Sequence, residues 1–257
     1  MSSLTIYIHK SIEENASLYF EKAKQMKRKI QGAKDALEKT RKQLEKLQKE
    51  AVEEKKVTKK AAIKREWYEK FRWFFTSEGF LVIMGRDATT NEIIIKKHTN
   101  PDDLVLHTDM AGSPFAVIKS EGKKIGPASI EETAQATASY SRAWKLGLST
   151  LDVFYVNPEQ VTKKARPGEY LQKGAFMIYG KTNYLHPTLK LAVGIDENGR
   201  LVGGPDMAIK AHAKDFAIIM QGTENPSDVA KKLHHRFKAD IDEILRFLPS
   251  GGCRIER

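Results

Sequence analysis

Hydrophobic residues in the first quarter of the chain recur with a heptad spacing. They alternate steps of four and three residues, and Thr40 is the one polar member of the series. The positions are Ile12, Ala16, Tyr19, Ala23, Met26, Ile30, Ala33, Leu37, Thr40, Leu44, Leu47 and Ala51. Such spacing keeps one seam of a helix facing a partner helix. Residues 10–70 contain no proline and a single glycine, so we predict a helix of about 40 residues and about 60 Å.

The predicted seam requires a partner, and two arrangements provide one. A second helix is predicted from about Thr58 to Phe71, and the polar segment Lys49–Thr58 is placed to turn the chain back. We therefore favour an intramolecular antiparallel hairpin, and a homodimeric coiled coil is the alternative. Both arrangements make residues 1–70 a coiled-coil helical region.

Beyond Trp67, short β-rich runs replace the heptad spacing. Phe80–Met84 and Glu92–Lys97 flank a polar tip, Arg86–Asn91, and predict a β-hairpin. Further strands are predicted at Leu104–His107, Pro114–Lys119, Asp152–Val156, Ala175–Tyr179, Leu189–Gly194 and Phe216–Met220.

Two helices are predicted between and after these strands. Ser129 and Glu132 have the spacing of a capping box, and Gly147 is expected to end that helix. Asn225 followed by Pro226 begins the second helix, whose apolar stripe runs to Leu248. The predicted fold class is α+β: a long N-terminal coiled-coil hairpin followed by a strand-rich domain over residues 71–257.

Charge narrows the class of partner. The chain has 44 Lys and Arg against 33 Asp and Glu, a net charge of +11, and residues 10–70 carry 19 against 11, or +8 of it. Such an excess favours a polyanion, whether RNA, DNA or an anionic membrane surface. No apolar run approaches the roughly 20 residues of a membrane span, and the N-terminus does not resemble a signal peptide. A single cysteine, Cys253, fits a reducing compartment, so we expect a cytoplasmic protein.

Acidic residues and a histidine suggest one catalytic alternative. Asp87, Glu92, His107 and Asp109 could together serve a metal-dependent nuclease. His107 and Asp109 would share one face of an extended strand. However, the chain has no HExxH, Walker-type loop, paired-cysteine spacing or GxSxG. We therefore expect a protein that is not an enzyme and that uses no metal, cofactor or small-molecule substrate.

Basic residues interleaved with aromatics favour nucleic-acid binding. Lys and Arg neutralise phosphates, and exposed tyrosines stack on unpaired bases. The basic residues of this stretch are Lys163, Lys164, Arg166, Lys173 and Lys181. In the turn before Pro114, Gly112 and Ser113 could present backbone N–H groups to a phosphate.

Several segments, in order, resemble signatures of the NFACT family, and together they span almost the whole chain. Those resembling the NFACT-R domain are Glu66–Phe74, Ser77–Gly79, Gly85–Ala88, Asn91–Glu92, Asp103–His107 with Asp109, Gly112 and Ser113, Gly168–Tyr170, Lys173–Phe176 and Tyr179–Lys181. Residues 11–33 resemble the start of the family's coiled-coil region. Gly203–Pro205 and Leu248–Ile255 are similar to archaeal-type members.

The resemblance implies a role in ribosome-associated quality control. Members of the family bind large ribosomal subunits that carry a stalled peptidyl-tRNA, and NFACT-R is regarded as an RNA-binding module. The implied partners are tRNA and large-subunit RNA, with a ribosomal protein or a ubiquitin ligase at the coiled coil, and no membrane. Arg86, Lys173 and Lys181 lie in family-like motifs, as do Asp87, His107, Asp109, Gly112 and Ser113, whereas Lys163, Lys164 and Arg166 are chosen by charge.

The chain departs from the family because nothing in it resembles NFACT-N or the helix-hairpin-helix segment that follows NFACT-N. Since NFACT-N supplies much of the tRNA grip, we do not expect this chain alone to support C-terminal tailing. The alternatives to RNA binding are a coiled-coil adaptor for another protein and a DNA-binding module, because phosphate contacts do not separate RNA from DNA.

Overall fold

A computed structural model describes residues 5–57, 66–164 and 171–256, with side chains up to residue 44 in the first of these ranges. The chain divides into two compact units, Met1–Lys64 and Arg65–Arg257. None of the helices in the described ranges combines the length and the hydrophobicity that crossing a bilayer requires.

The first unit is built on one helix, α1, which spans Ile12–Val57 and 46 residues. Ser11 and Glu14 form a reciprocal cap at its start: each side chain accepts a hydrogen bond from the other residue's backbone N–H. The prediction of a turn at Lys49–Thr58 is wrong for Lys49–Val57, because these residues belong to α1. This segment is rich in Glu and Lys, which are good helix formers, and it has no glycine or proline to end the helix.

The second predicted helix is also not found where it can be examined. Its first part, residues 58–65, lies outside the described residues. Its last part is a short 3-10 turn, Trp67–Lys70, after which the chain is extended. Within the described side chains, heptad residues such as Ile12, Ile30 and Leu37 are exposed, so the seam of α1 is open to solvent.

An antiparallel sheet of six strands forms the first half of the second unit. In sequence order the strands are β1 (Arg72–Phe75), β2 (Leu81–Met84), β3 (Leu104–Thr108), β4 (Ala116–Ile118), β5 (Val153–Val156) and β8 (Asn183–Leu185). Their order across the sheet is β1-β2-β4-β3-β5-β8. Between β5 and β8, a small two-stranded sheet joins β6 (Val161–Thr162) to β7 (Met177–Ile178).

A four-stranded antiparallel sheet forms the second half. Its order is β10-β9-β11-β12, and the bounds are β9 Leu191–Asp196, β10 Leu201–Gly204, β11 Ala213–Glu224 and β12 Cys253–Ile255. The helices of the unit are α2 Ala88–Lys97, α3 Pro127–Ser139, α4 Arg142–Leu146, α5 Asp206–His212, α6 Pro226–Phe237 and α7 Ile241–Phe247.

The six-stranded sheet separates two hydrophobic clusters, as the alternation of side chains along a strand requires. Val82, Leu106 and Ile118 belong to the cluster that includes α3 and the second sheet. Their neighbours Ile83 and Val105 belong to the cluster that includes α2. The predicted α+β class, a long helix followed by a strand-rich region, is confirmed.

The strand predicted at Glu92–Lys97 is wrong, because this segment belongs to α2. Asp87 caps the helix: its Oδ1 accepts from the backbone N–H of Thr90 at 2.8 Å, and Thr90 Oγ1 accepts from the N–H of Asp87 at 2.9 Å. This reciprocal cap, together with the burial of Ile94, outweighs the strand preference of the β-branched residues.

The capping box predicted within Ser129–Glu132 is also wrong. Helix α3 begins after Gly126 with Pro127 in its first turn. Glu78, from the turn between β1 and β2, accepts from the backbone N–H of Ser129 at 2.9 Å. Glu132 accepts from the N–H of Ser77 at 2.9 Å. The cap thus comes from residues about 50 positions away in sequence.

The ends of the later helices follow the prediction in part. Gly147 ends a helix with a φ of 73°, as predicted, but that helix is α4. The single helix predicted from Ser129 to Gly147 is divided, because Ser141 accepts from the N–H of Ala143 and begins α4 anew. Helix α6 begins at Pro226, but the predicted stripe to Leu248 is divided between α6 and α7. Lys238 has a φ of 55° at the break, and Asp240 caps α7.

Candidate nucleic-acid interface

Helix α2 places one side against the sheet and the other in solvent. Ile94 is buried in the cluster that contains Ile83 and Val105. Lys96 and Lys97, in the last turn, are exposed. Ten residues of helix extend about 15 Å, a length comparable to two or three nucleotide repeats. Basic residues from four other segments of the chain lie near this helix: Lys70, Arg86, Lys163 and Lys173.

The N-terminal end of α2 receives Arg86 and Lys173. Gly85 passes so close to Asn91 that a Cβ there would lie 1.7 Å from the amide oxygen. Gly174 packs on the first residue of the helix: its φ is 80°, and a Cβ would lie 2.6 Å from the Cα of Ala88. Both glycines therefore permit close backbone approach, and Gly174 fixes Lys173 beside the start of α2.

Burial, hydrogen bonds and neighbouring charges shift the pKa values of Arg86 and Asp87 at the N-terminal end of α2. Arg86 Nη2 donates to the carbonyl of Phe71 at 2.9 Å. Burial lowers the pKa of Arg86, and so do the nearby guanidinium groups of Arg72 and Arg246. The N–H of Thr90, and to a smaller extent the charge of Lys173, lower the pKa of Asp87.

The middle of α2 carries Glu92 between two lysines. Lys96 Nζ lies 2.5 Å from Glu92 Oε1, one helical turn away, and Lys163 Nζ lies 3.7 Å from Glu92 Oε2. The hydrogen bond from Lys96, with Lys163 nearby, keeps the pKa of Glu92 below its usual value. Lys163 also lies 4.7 Å from the centre of the Phe176 ring.

The C-terminal end of α2 carries an aromatic stack with lysines around it. The rings of Trp67 and His98 are parallel within 15° and 4.9 Å apart. Lys70 Nζ donates to His98 Nε2 at 3.3 Å. Burial lowers the pKa of His98, and the charges of Lys70, Lys119 and Lys97 lower it further. Trp67 is 47% exposed, whereas Trp73 and Trp144 are buried, so Trp67 can stack on a base.

We call this surface the α2 face. Its members are Trp67, Lys70, Arg86, Lys96, Lys97, His98, Lys163 and Lys173. Six of them are cations, and two carboxylates, Asp87 and Glu92, accompany them. Asp87 is engaged in capping the helix, and Glu92 is paired with Lys96. The net charge of the α2 face is therefore positive.

The remaining basic residues from the sequence analysis lie elsewhere. Lys164 is exposed next to Lys163, and its carbonyl accepts from the hydroxyl of Tyr179 at 3.2 Å. Lys181 follows β7 at the opposite end of the small sheet, where its carbonyl accepts from Gln160. Arg166 lies outside the described residues. The structure thus brings Arg86, Lys163 and Lys173 together, but it does not bring Lys181 to them.

Of the four residues proposed for a nuclease, Asp87, His107 and Asp109 lie toward the same edge of the six-stranded sheet, whereas Glu92 lies within α2. Asp87 follows β2, and Asp109 follows the neighbouring end of β3, where its Oδ2 accepts from the hydroxyl of Tyr184 at 3.2 Å. His107 stacks on Phe115 at 3.9 Å, and its Nε2 donates to the carbonyl of Ser113 at 3.2 Å. Burial lowers the pKa of His107 to about 4.

The turn after β3 is closed by its own side chains. The hydroxyls of Thr108 and Ser113 lie 2.5 Å apart, and Ser113 Oγ donates to the carbonyl of Met110 at 2.9 Å. Gly112 has a φ of 88°. Phosphate binding by the N–H groups of Gly112 and Ser113 stays a prediction. Across the part of the chain that the structure describes, no three His, Cys, Asp or Glu side chains are grouped to hold a metal ion.

Comparison with known proteins also indicates an RNA-binding domain. Residues 70–180 match the family model described as the NFACT protein RNA binding domain. The α2 face, apart from Trp67, lies within this match.

Three relatives extend the similarity. The archaeal Rqc2 homolog aRqcH of Methanocaldococcus jannaschii is 44% identical over 204 residues, which are 77% of this chain and 30% of that protein. The human ribosome quality control complex subunit NEMF is 40% identical over 177 residues, 68% of this chain and 16% of that protein. Its homolog in Drosophila melanogaster is 35% identical over 184 residues, 70% of this chain and 18% of that protein. The chain therefore spans less than a third of the length of each of these relatives.

Proposed function

Because the chain belongs to the NFACT family through its RNA-binding domain, we propose that it binds RNA along the α2 face as part of a ribosome quality-control factor. The convergence of six cations on one 15 Å helix surface supports this proposal. Phosphates attract these cations, and Trp67 at one end offers a stacking surface for an unpaired base. tRNA and large-subunit RNA are the proposed ligands, and the cytoplasm is the proposed location.

A non-enzymatic role is part of the same proposal. The names of the human and Drosophila melanogaster relatives describe ribosome quality control, and none of the three names states a chemical reaction. Two residues of the nuclease alternative already have structural tasks: Asp87 caps α2, and Glu92 pairs with Lys96. Intact RNA after incubation with Mg²⁺ or Mn²⁺ would support the non-enzymatic role, and cleavage would overturn it.

Salt-dependent RNA binding tests the proposal. Fluorescence anisotropy with labelled tRNA at several salt concentrations should show an affinity that falls linearly on a double logarithmic plot. Replacing Lys163 and Lys173 together with Gln should weaken binding and reduce the slope by about 1.5, because each lost phosphate contact removes slightly less than one unit.

A charge-matched variant separates the α2 face from net charge. Lys27→Gln with Lys34→Gln removes the same two charges from α1, where both side chains are exposed and unpaired among the described residues. We expect this variant to bind nearly as the wild type does. Equal losses in the two variants, or no RNA binding by the wild-type chain, would contradict the proposal.

Trp67 provides an independent readout. Because Trp73 and Trp144 are buried, quenching of the intrinsic fluorescence by single-stranded RNA should come from Trp67. Replacing Trp67 with Phe should abolish most of this quenching, while a duplex DNA competitor tests whether the surface prefers RNA. Stronger binding of DNA would favour the DNA-binding alternative.

The open seam of α1 supports a second role. Exposed apolar residues at heptad positions favour a helical protein partner. A ribosomal protein or a ubiquitin ligase is the proposed partner, and cross-linking from Leu37 in a ribosome preparation would identify it.

A further inference from the structure

Arg72 and Arg86 flank the β1–β2 hairpin beside the start of α2, and the charges of Arg72 and of Arg246, from the C-terminal helix α7, both act on Arg86. Arg72 opens β1 and pairs in register with Met84 of β2, two residues before Arg86. The guanidinium of Arg72 lies 4.7 Å from the centre of the Tyr140 ring. Tyr140 in turn donates its hydroxyl to the carbonyl of Phe247, the residue that follows Arg246 in α7, at 2.8 Å.

Within the described part of the chain, no carboxylate forms a direct ion pair with these three groups. Among those residues, none of the arginines has an acidic partner within 4.0 Å. Asp87 is the acidic residue that acts on Arg72 and Arg86, but its carboxylate caps α2. The like charges of Arg72 and Arg246 act on Arg86, and Asp87 offsets them only in part because no carboxylate pairs directly with the guanidinium groups, so an anion beside them would stabilise the arrangement.

One of the arginines also has an unsatisfied donor. Arg72 Nε is buried and has no hydrogen-bond partner within the ranges that the structure describes. A guanidinium offers five N–H donors in a fixed fork, and leaving a buried donor unpaired costs about 1–3 kcal/mol. Arg86 spends one of its donors on the carbonyl of Phe71, which holds the guanidinium in place and leaves its other donors available.

We propose that Arg72, Arg86 and Arg246 form a binding site for a phosphate group of the bound RNA. The inference rests on the proposed function and adds a defined anchor to it. Guanidinium groups bind phosphate oxygens through paired hydrogen bonds, a geometry that lysine cannot provide. Arg246 lies beyond the matched residues 70–180, so the C-terminal helices contribute directly to the RNA interface.

The test uses Arg246→Gln, because this side chain is exposed and its loss should not disturb the core. We expect RNA affinity to fall on the order of tenfold, as for the loss of a charge-assisted hydrogen bond. Arg254→Gln on β12 removes the same charge from an exposed arginine outside the triad and should change affinity by less than about twofold. Arg246→Lys should fall between the two, because it keeps the charge and loses the fork.

Two further measurements separate the possible outcomes. If Arg246→Gln binds RNA like the wild type while the Lys163 and Lys173 double variant is weakened, the arginine site is overturned and the α2 face stands. If the wild-type chain binds no RNA, the proposed function fails, and inorganic phosphate alone tests the triad. Phosphate should raise the Tm of the wild type more than that of Arg246→Gln, and equal shifts would overturn the site.

The type of phosphate is decided by paired oligonucleotides. A 5′-phosphorylated RNA that binds more tightly than its 5′-hydroxyl form, with the difference lost in Arg246→Gln, assigns the site to a terminal phosphate. Equal affinities of the two forms, both lowered by the substitution, assign it to a phosphodiester within the strand.

Discussion

At the scale of single residues, His107 makes the stability of the folded chain depend on pH. The folded chain keeps its imidazole neutral because packing on Phe115 removes the ring from water, and this outweighs the hydrogen bond from Nε2 to the carbonyl of Ser113, which favours protonation. The pKa is about 4 in the folded chain, against 6.5 for an unperturbed histidine. Between these values the unfolded chain binds a proton that the folded chain does not bind. Stability is therefore unaffected above pH 6.5 and falls as the pH drops toward 4.

We predict that His107 alone lowers the free energy of unfolding by about 2 kcal/mol between pH 7.5 and pH 5. Urea denaturation of the wild type and of His107→Gln at both pH values measures this. The variant loses the titrating ring, so its loss between the two pH values should be smaller by that amount. The carboxylates and the other histidines titrate in both proteins, so their contributions to the change in stability cancel in the comparison. An equal loss in both proteins would contradict the assignment.

At the scale of elements, α2 shows why the site could be predicted only in part. The run of β-branched residues in Thr89–Ile95 favours a strand from sequence alone. A strand would direct Lys96 and Lys97 to opposite faces, so the basic cluster at this end was not predicted. The helix depends on the cap from Asp87 and on the burial of Ile94 beneath the sheet. The second of these is a tertiary contact that local sequence does not reveal.

The close packing of Gly174 on α2 predicts that a side chain at this position destabilises the fold. A Cβ at Gly174 would meet Ala88 at 2.6 Å, and the φ of 80° is unfavourable for other residues. We expect Gly174→Ala to reduce the free energy of unfolding by about 2–5 kcal/mol, the sum of about 1–2 kcal/mol for a left-handed backbone and about 1–3 kcal/mol for an overpacked contact. It should also weaken RNA binding, because Lys173 moves with Gly174.

Gly112 provides the matched control for this substitution. Its φ of 88° is similar, but no atom lies within 4 Å of a Cβ placed there. Gly112→Ala should therefore cost only the backbone term of about 1–2 kcal/mol. Urea denaturation of both variants measures the difference. If the two variants lose the same stability, the contact between Gly174 and Ala88 does not hold the segment on α2.

At the scale of the whole molecule, the arrangement of charge matters more than its total. Residues 10–70 carry +8 of the net +11, yet five of the six cations of the α2 face, all but Lys70, belong to the more balanced remainder. The sequence predicted the α+β class, the long helix and strands such as β3 and β9 from their periodicity. It did not predict the order of the strands, or a triad built from Arg72, Arg86 and Arg246, because these depend on contacts between distant segments.

The seam of α1 gives the prediction that concerns the molecule as an assembly. Ile30 and Leu37, one heptad apart, are both exposed, and such a stripe is stabilised by a second helix. In a solution of this chain alone the available partner is a second copy. We expect analytical ultracentrifugation to show self-association that increases with concentration. Ile30→Glu with Leu37→Glu should abolish it, since buried carboxylates at seam positions oppose pairing. Lys27→Gln with Lys34→Gln serves as a control outside the apolar seam. A wild-type chain that stays monomeric at all concentrations would contradict self-pairing and would leave the seam to a helix of another protein.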